Sequence, residues 1–425
     1  MEQKTKQRVY LAIDMKSFFA SVECVERGLD PMTTNLVVAE PARTDKTVCL
    51  AITPAMKKLG VKNRCRLFEV PKDIEYIIAK PRMKKYIDYA AEIYAIYLKY
   101  ISKDDIHVYS IDESFIDATD YLSIYKMRAK EFAQMLMKEI KEKVGIPSSA
   151  GIGTNLYLAK IALDITAKKS DDGIGWLTEE KFIKELSDHR PITDFWQISH
   201  GTEARLKKHG IYDMRGIREA YEPTLYKEFG INAELLIDHA YGIETCLMQD
   251  IKNYKSRSKS ISNSQILPCN YNYIDAKMVL KEMVEEGCLR LAKSNLSACT
   301  VGIFISYGDR SVKGAKGTKR LFSATNLFSK ILPIIEELFE NLVDRNLPIR
   351  RIAYDFSGLI PSSQEYYDLF TDMTAVKREK RLAESVISIK DKYGKNAILK
   401  GSDYQENATQ RERNKLIGGH NGGEE

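Results

Sequence analysis

Apolar residues run almost unbroken from Val9 to Ile13 and stop at Asp14, after which Phe18, Val22 and Val25 recur at helical spacing between Ser17 and Glu26. The pattern predicts strand, acid, helix. A carboxylate at the end of a buried strand is fixed by the strand and left open by the following turn. From residue 28 to 72 the pattern is short and irregular, with strands at Leu36–Ala39 and Thr47–Ile52 and a small helix at Pro54–Leu59. It reads as a small inserted lobe whose Lys57, Lys58, Lys62, Arg64 and Arg66 are either phosphate contacts or plain surface. Helical spacing returns from Met83 to Tyr100, where the tyrosines at 86, 89, 94, 97 and 100 read as core and half-buried packing. Next, Ile106, Val108 and Ser110 alternate with His107, Tyr109 and Ile111, and the apolar run resumes at Phe115 and Ile116. This is a hairpin with Asp112 and Glu113 at its turn, both expected to point outward. An amphipathic helix carrying Phe132, Ala133, Leu136, Met137 and Ile140 precedes a strand at Ser148–Ile152. Gly151 to Lys160 then reads as a glycine turn opening a helix to about Lys168, by itself a weak sign of phosphate binding.

Asp172 to Tyr241 reads as small helices and links, and Lys252 to Ser260 as a polar, basic linker. Beyond it come a strand from Ser258 to Leu267, a helix from Ile274 to Lys293, strands at Cys299–Tyr307 and Thr318–Ala324, a helix at Leu327–Val343 and a strand at Ile349–Ser357. That β-α-β-β-α-β order is the split ferredoxin-like motif. In the tail, Lys377 to Tyr393 reads as a helix and Gly418 to Gly423 as disordered. The fold class is α+β and multidomain.

Composition narrows the picture. With 425 residues, two to four domains are expected, and 44% hydrophobic against 29% charged residues describes a globular chain with no run long enough to span a membrane. The polar start from Met1 to Arg8 does not read as a signal peptide. Seven cysteines, odd in number and widely spaced, fit neither a disulfide framework nor a zinc site and favour a reducing cytoplasm. The net charge is only +6, yet Lys252 to Arg320 holds thirteen Lys or Arg against five Asp or Glu, leaving −2 for the rest. A basic segment in an otherwise slightly acidic chain points to a polyanion or to a solvated face.

The chemistry centres on the acids. Side by side, Asp112 and Glu113 raise each other's pKa unless a cation relieves them, and hard divalent ions such as Mg²⁺ take such oxygen ligands. An isolated Asp-Glu pair is more often a solvated turn. Context changes that: Asp14, Met15, Phe18, Phe19, Ala20, Ser21, Val22 and Glu23, then Ser110, Ile111, Asp112 and Glu113, then Gly151, Ile152, Gly153, Asn155, Leu158, Ala159 and Lys160 resemble the three signature blocks of the Y-family DNA polymerases. The resemblance covers about the first 360 residues and is closest to the bacterial UmuC-like branch. It implies a palm at 1–27 and 73–170, fingers at 28–72, a thumb at 171–245, a little finger domain at 255–360 and a tail at 361–425. By the same resemblance Asp14, Asp112 and Glu113, with the main-chain carbonyl of Met15, hold two Mg²⁺ ions, and Phe18 and Phe19 meet the incoming nucleotide. It further implies an error-prone translesion enzyme that extends primers with dNTPs in DNA damage tolerance and repair, cytoplasmic and nucleoid-associated.

The chain also departs from the family. Pro54 and Lys57 stand where many members place a Tyr and an Arg on the triphosphate, and a lysine lacks the bidentate fork. A further triphosphate lysine aligns with Ala167 unless one residue is inserted, in which case Lys168 takes the role. Trp196 to Ile211 resembles the helix-hairpin-helix of the thumb, with Ser199, His200 and Gly201 where two glycines are usual. In the basic domain Lys259, Arg310, Lys313, Lys316, Lys319 and Arg320 are the expected phosphate contacts. Tyr366, Tyr367, Asp368, Leu369 and Phe370 resemble the sliding-clamp-binding peptide of bacterial polymerases without its leading Gln. The rival readings are a catalytically inactive DNA-binding homologue serving as an accessory repair factor, and a nuclease or nucleotide cyclase on a similar palm.

Overall fold

The computed structural model describes residues 7–40, 46–256 and 259–423. The first residues of the polar start and the expected strand start at Ser258 lie outside them. Two compact units emerge, Met1–Tyr254 and Lys255–Glu425.

The first unit is built on a five-stranded sheet. In chain order its elements are β1 (Tyr10–Met15), α1 (Phe18–Val25), β2 (Leu36–Val38), β3 (Ala51–Ile52), α2 (Pro54–Lys58), β4 (Ile77–Ala79), α3 (Met83–Tyr97), β5 (Ile106–Val108), β6 (Glu113–Asp117), α4 (Tyr121–Ile124), α5 (Ala129–Val144), β7 (Ser148–Gly153), α6 (Leu156–Ile161) and β8 (Ile174–Leu177). The sheet order is β5-β6-β1-β7-β8, antiparallel except for β7 and β8. β1 is central and covered on both faces, which explains its unbroken apolar run. On one face Leu11 and Ile13 pack with Tyr86, Tyr97, Phe132, Leu136 and Ile140 of α3 and α5. On the other, Tyr10 and Ala12 meet Phe115, Leu156, Ala159 and Leu163. Phe132 is wholly buried, and its truncation to Ala would cost about 3–5 kcal/mol.

The inserted lobe is a separate three-stranded sheet, β3-β2-β4, over a small core of Val37, Cys49, Ile52, Met56, Cys65 and Val70. Because β4 pairs in parallel with β2, the lobe runs past the expected end at residue 72 to Ala79.

Gly151 and Gly153 do not form a phosphate-binding turn. Both lie within β7, and a Cβ on either would stand 2.1 Å from the Ala159 carbonyl oxygen or 2.2 Å from the Ala159 nitrogen. The glycines let α6 lie directly on the sheet. Asn155 caps that helix, its side chain accepting the Leu158 N–H at 2.8 Å. After Ile161 the helix widens into a five-residue π-helical turn, Ala162–Thr166, and closes in a 3₁₀ turn, Ala167–Lys169.

Six short helices follow: α7 (Glu179–Leu186), α8 (His200–Lys207), α9 (Met214–Glu219), α10 (Glu222–Phe229), α11 (Asn232–Ala240) and α12 (Met248–Asn253). They gather round Phe182, Phe195, Leu206 and Leu225, with Tyr157 and Leu158 of α6 in the same core. Lys252, expected in a linker, belongs to α12 and donates to the carbonyls of Lys103 and Ile106 at 2.9 and 2.6 Å.

The second unit has the expected βαββαβ order: β9 (Ser260–Tyr271), α13 (Tyr273–Lys293), β10 (Leu296–Tyr307), β11 (Ala315–Thr325), α14 (Phe328–Leu342) and β12 (Ile349–Ser357). Its antiparallel sheet, β11-β10-β12-β9, packs Val301, Ile303, Ile352 and Phe356 against the two helices. The opposite face is open. The tail is ordered: α15 (Met373–Tyr393) and α16 (Gln410–Asn414) follow, and the buried Glu282 of α13 accepts from the Thr409 N–H at 3.1 Å. The glycine-rich end, expected to be disordered, closes a hairpin of Leu416–Ile417 against His420–Asn421. Gly418 and Gly419 have φ of 59° and 83°, the pair of left-handed residues that a tight hairpin turn requires.

Candidate active site

β1 delivers Asp14 directly opposite Glu113 of β6. Cross-strand partners share a face, here the face covered by α6. The turn between β5 and β6 is tight, with the Glu113 carbonyl accepting from the Tyr109 and Ser110 amides at 3.0 and 3.1 Å. Ser110 Oγ donates to Asp112 Oδ1 at 2.6 Å, and the Asp112 carbonyl accepts from the Met15 amide at 3.0 Å. Asp14, Asp112 and Glu113 therefore converge where β1 ends. The outward turn expected for the pair is half correct. Asp112 is partly exposed, but Glu113 begins β6 and is buried, because Lys160 reaches from α6 to within 2.8 Å of its carboxylate.

The electrostatics are lopsided. Burial, then the charges of Asp112 and Glu113, push the Asp14 carboxyl up to about 8. Burial also raises Glu113, against the opposing pull of Lys160. Lys160 is divided between Glu113 and Asp164, the latter at 3.2 Å, so one ammonium serves three or four acids. Such a cluster fits divalent cations. Among the described residues no group of three His, Cys, Asp or Glu forms a ready cage. That suits Mg²⁺, which binds through one or two carboxylates together with substrate phosphates.

Two cations face the acids. Burial lowers the Lys57 pKa, Asp14 and Asp112 oppose that, and Lys168 repels it, which sets Lys57 and Lys168 around the same acidic centre. The π-helical turn is how a helix absorbs one extra residue, and it carries Lys168 rather than Ala167 to this position. Phe19 lies half-buried beside the site with its ring 4.7 Å from that of Tyr86. Phe18, expected next to it, buries its ring in the core instead. Around Tyr109, the rings of His107, Phe115 and Trp196 cluster, and Trp196 Nε1 donates to the Tyr109 hydroxyl at 3.0 Å.

The hairpin before α8 has a feature the sequence hid. Gln197 adopts φ 69°, a left-handed conformation that favours glycine, so the degenerate segment keeps the backbone shape without the residue. Ser199 caps α8.

In the second unit Lys259, Arg310, Lys313, Lys316 and Arg320 are exposed. Lys316 pairs with Phe304 and Arg320 with Thr300, whereas Lys319 pairs with Val301, whose side chain faces the helices. Lys319 accordingly leaves the expected group and pairs with Glu337 of α14 at 2.6 Å. Arg351 takes its place on the open face, its guanidinium 5.7 Å from the Phe304 ring centre. In the tail the Tyr366 hydroxyl donates to the Phe322 carbonyl at 2.8 Å and Tyr367 to Glu365, while Leu369 and Phe370 are 100% and 95% exposed. Asp368 holds the intervening turn, accepting from the Phe370 N–H.

Comparison with known proteins agrees with this architecture. A model described as the impB/mucB/samB family matches residues 13–164, and that of the family's C-terminal domain matches residues 258–369. UvrX of Bacillus subtilis (strain 168) is 32% identical over 96% of this chain and 97% of its own length. DNA polymerase IV 2 of the same organism is 30% identical over 98% and 99%. Among solved structures, a Y-family DNA polymerase chimera, Dbh-Dpo4(243-245)-Dbh, superimposes with a TM-score of 0.65 at 23% identity, covering 83% of this chain and 99% of its own. This chain belongs to the impB/mucB/samB family, and with it to the Y-family DNA polymerases.

Proposed function

We propose that the protein extends a DNA primer on a template with dNTPs, by attack of the primer 3′-oxygen on the α-phosphorus and departure of pyrophosphate, and that it does so across damaged templates. The convergence of Asp14, Asp112 and Glu113, with too little positive charge to balance them, is the observation that carries this reading. Two Mg²⁺ ions, when bound, supply a more acidic 3′-hydroxyl and neutralise charge on the phosphates. Asp14 and Asp112 would hold both ions, the Met15 carbonyl would add to them, and Glu113 would serve the primer side, oriented by Lys160. Lys57 and Lys168 would grip the triphosphate as point charges. Phe19 would lie beneath the incoming sugar and exclude a 2′-hydroxyl by contact.

The open face of the second unit, with Lys316, Arg320 and Arg351 and the neighbouring loop carrying Arg310 and Lys313, would hold phosphates of the duplex. Its mixed aromatic and cationic character supports that role. The small lobe around β2 encloses little, which favours tolerance of damaged bases and low accuracy. The protruding Leu369 and Phe370 are the kind of exposed apolar pair that enters a partner's pocket, here a sliding clamp. A bacterial, cytoplasmic and nucleoid-associated setting goes with this activity, and among the described residues no helix is long and apolar enough to cross a membrane.

Primer extension on an undamaged template with Mg²⁺ and one dNTP tests the reading. Extension that chelation abolishes is the expected result. Tight DNA binding without any extension would instead favour a catalytically inactive accessory factor.

A further inference from the structure

A ring can exclude a hydroxyl by collision only if it cannot retreat, since an unbacked side chain leaves its rotamer at small cost. The surroundings of Phe19 address that requirement. Its ring packs on Tyr86, centre to centre 4.7 Å with the planes tilted by 31°. Tyr86 is wholly buried, and its hydroxyl donates to Glu23 Oε1 at 2.8 Å. Glu23 is wholly buried as well. Arg82 clamps both its oxygens, Nε to Oε1 at 3.0 Å and Nη2 to Oε2 at 2.8 Å, and Arg27 adds a third cationic contact. Burial alone would raise the Glu23 carboxyl, yet the hydrogen bonds from Arg82, Arg27 and Tyr86 hold it below its usual range. The Tyr86 ring thus stands on a charged, doubly gripped acceptor.

We propose that Tyr86, anchored by Glu23 and Arg82, is a positioning residue for sugar selection: it is the backstop that keeps the Phe19 ring from yielding to the 2′-hydroxyl of a ribonucleotide. This rests on the reading of Phe19 as lying beneath the incoming sugar. A Tyr86 that served only as core would need neither the hydroxyl nor a buried carboxylate to receive it, and a phenylalanine would fill the same volume without a polar group to satisfy. Its placement against the half-exposed side of the core, in contact with the one aromatic ring that reaches the site from α1, gives the anchored hydroxyl a purpose. The coupling runs through contact alone: Glu23 fixes Tyr86, and Tyr86 limits Phe19.

The test is the ratio of kcat/KM for a matched dNTP and rNTP, measured on the full chain with Mg²⁺ for wild type, Phe19→Ala, Tyr86→Leu, Tyr86→Phe and the Phe19→Ala/Tyr86→Leu double variant. Tyr86→Leu should lower the deoxy preference by about fivefold or more and Tyr86→Phe by about two- to threefold, with smaller changes for the dNTP itself. The double variant should match Phe19→Ala, because a backstop has nothing left to support once the ring is gone. If Phe19→Ala lowers the ratio and both Tyr86 variants keep it, the backstop is overturned and the gate survives. An unchanged ratio in Phe19→Ala overturns both. Should Tyr86→Leu fail to fold, Tyr86→Phe decides, since it keeps the ring and removes only the anchor, and a wild-type ratio there refutes the proposal.

Discussion

Two buried carboxylate sites sit on consecutive elements and are balanced in opposite ways. At the end of β1, Asp14 faces Glu113 and Asp112 with the single shared ammonium of Lys160 nearby, and its carboxyl is pushed up to about 8. On α1, Glu23 has two guanidinium groups and a phenol, and its carboxyl is held below the usual range. The same residue type, similarly removed from water, is left wanting cations in one place and fully supplied in the other. A site whose charge is completed by its own chain is structural; one left incomplete is built to receive something.

The largest effect that would break this contrast is catalytic. Asp112→Ala or Glu113→Ala should reduce the extension rate by at least about a thousandfold, on the order of 4 kcal/mol of transition-state energy, with little change in DNA affinity measured by anisotropy. Near-normal extension in both variants would mean that the incomplete site is not where the chemistry occurs.

A smaller, opposite pair of effects concerns stability without divalent ions. Glu23→Ala should lower stability by about 3 kcal/mol in denaturant titrations, since it leaves Arg82 and Arg27 facing an empty acceptor position. Asp14→Asn should leave stability unchanged or raise it near pH 8, because it removes a charge the fold does not balance. The pH signs differ accordingly. Asp14 is raised in the folded state, so its contribution is full below its ordinary value of 3.8 and is lost as pH rises through about 8. Glu23 is lowered, so its contribution is present above the ordinary carboxylate range and is lost as pH falls through its depressed value. Chelated wild type should therefore lose melting temperature toward alkaline pH in a way that Asp14→Asn does not share, and Glu23→Gln should flatten the acid side. Superimposable profiles would refute the contrast.

The smallest effect sharpens a second comparison, between the two faces of the little finger sheet. Arg351→Ala and Lys316→Ala should each reduce the slope of log K against log salt by about 0.9 on duplex DNA, while Lys319→Ala, ion-paired toward α14, should leave it unchanged. Equal slopes for all three would show that the open face is not the grip.

What could be read from the sequence was local. The apolar run ending at Asp14 and the alternation around Asp112 and Glu113 placed the acids, and the helix and strand periods of residues 260–357 gave the second unit its order. Pairings distant along the chain were not legible: Glu23 meets Arg82 and Tyr86 across the core, and Lys160 reaches Glu113 from another element. The side chosen by Lys319 depended on strand register, where one residue reverses every side chain. Gly151 and Gly153 looked like a ligand-binding turn because close backbone packing demands the same residue. The tail's order came from its contacts with α13, which its own composition does not encode.

The wide turn at Ala162–Thr166 has a consequence for how the chain measures distance. Its beginning is pinned where the helix lies on bare strand, and Lys168 arrives opposite Lys57, so the surplus residue is taken up between two fixed ends like slack in a cable. Counting along the backbone and measuring through space then give different answers for which cation guards the acids. Ordinals fail here, and position holds: the lysine is specified by where the helix exits, so this stretch can change in length without the site losing its charge.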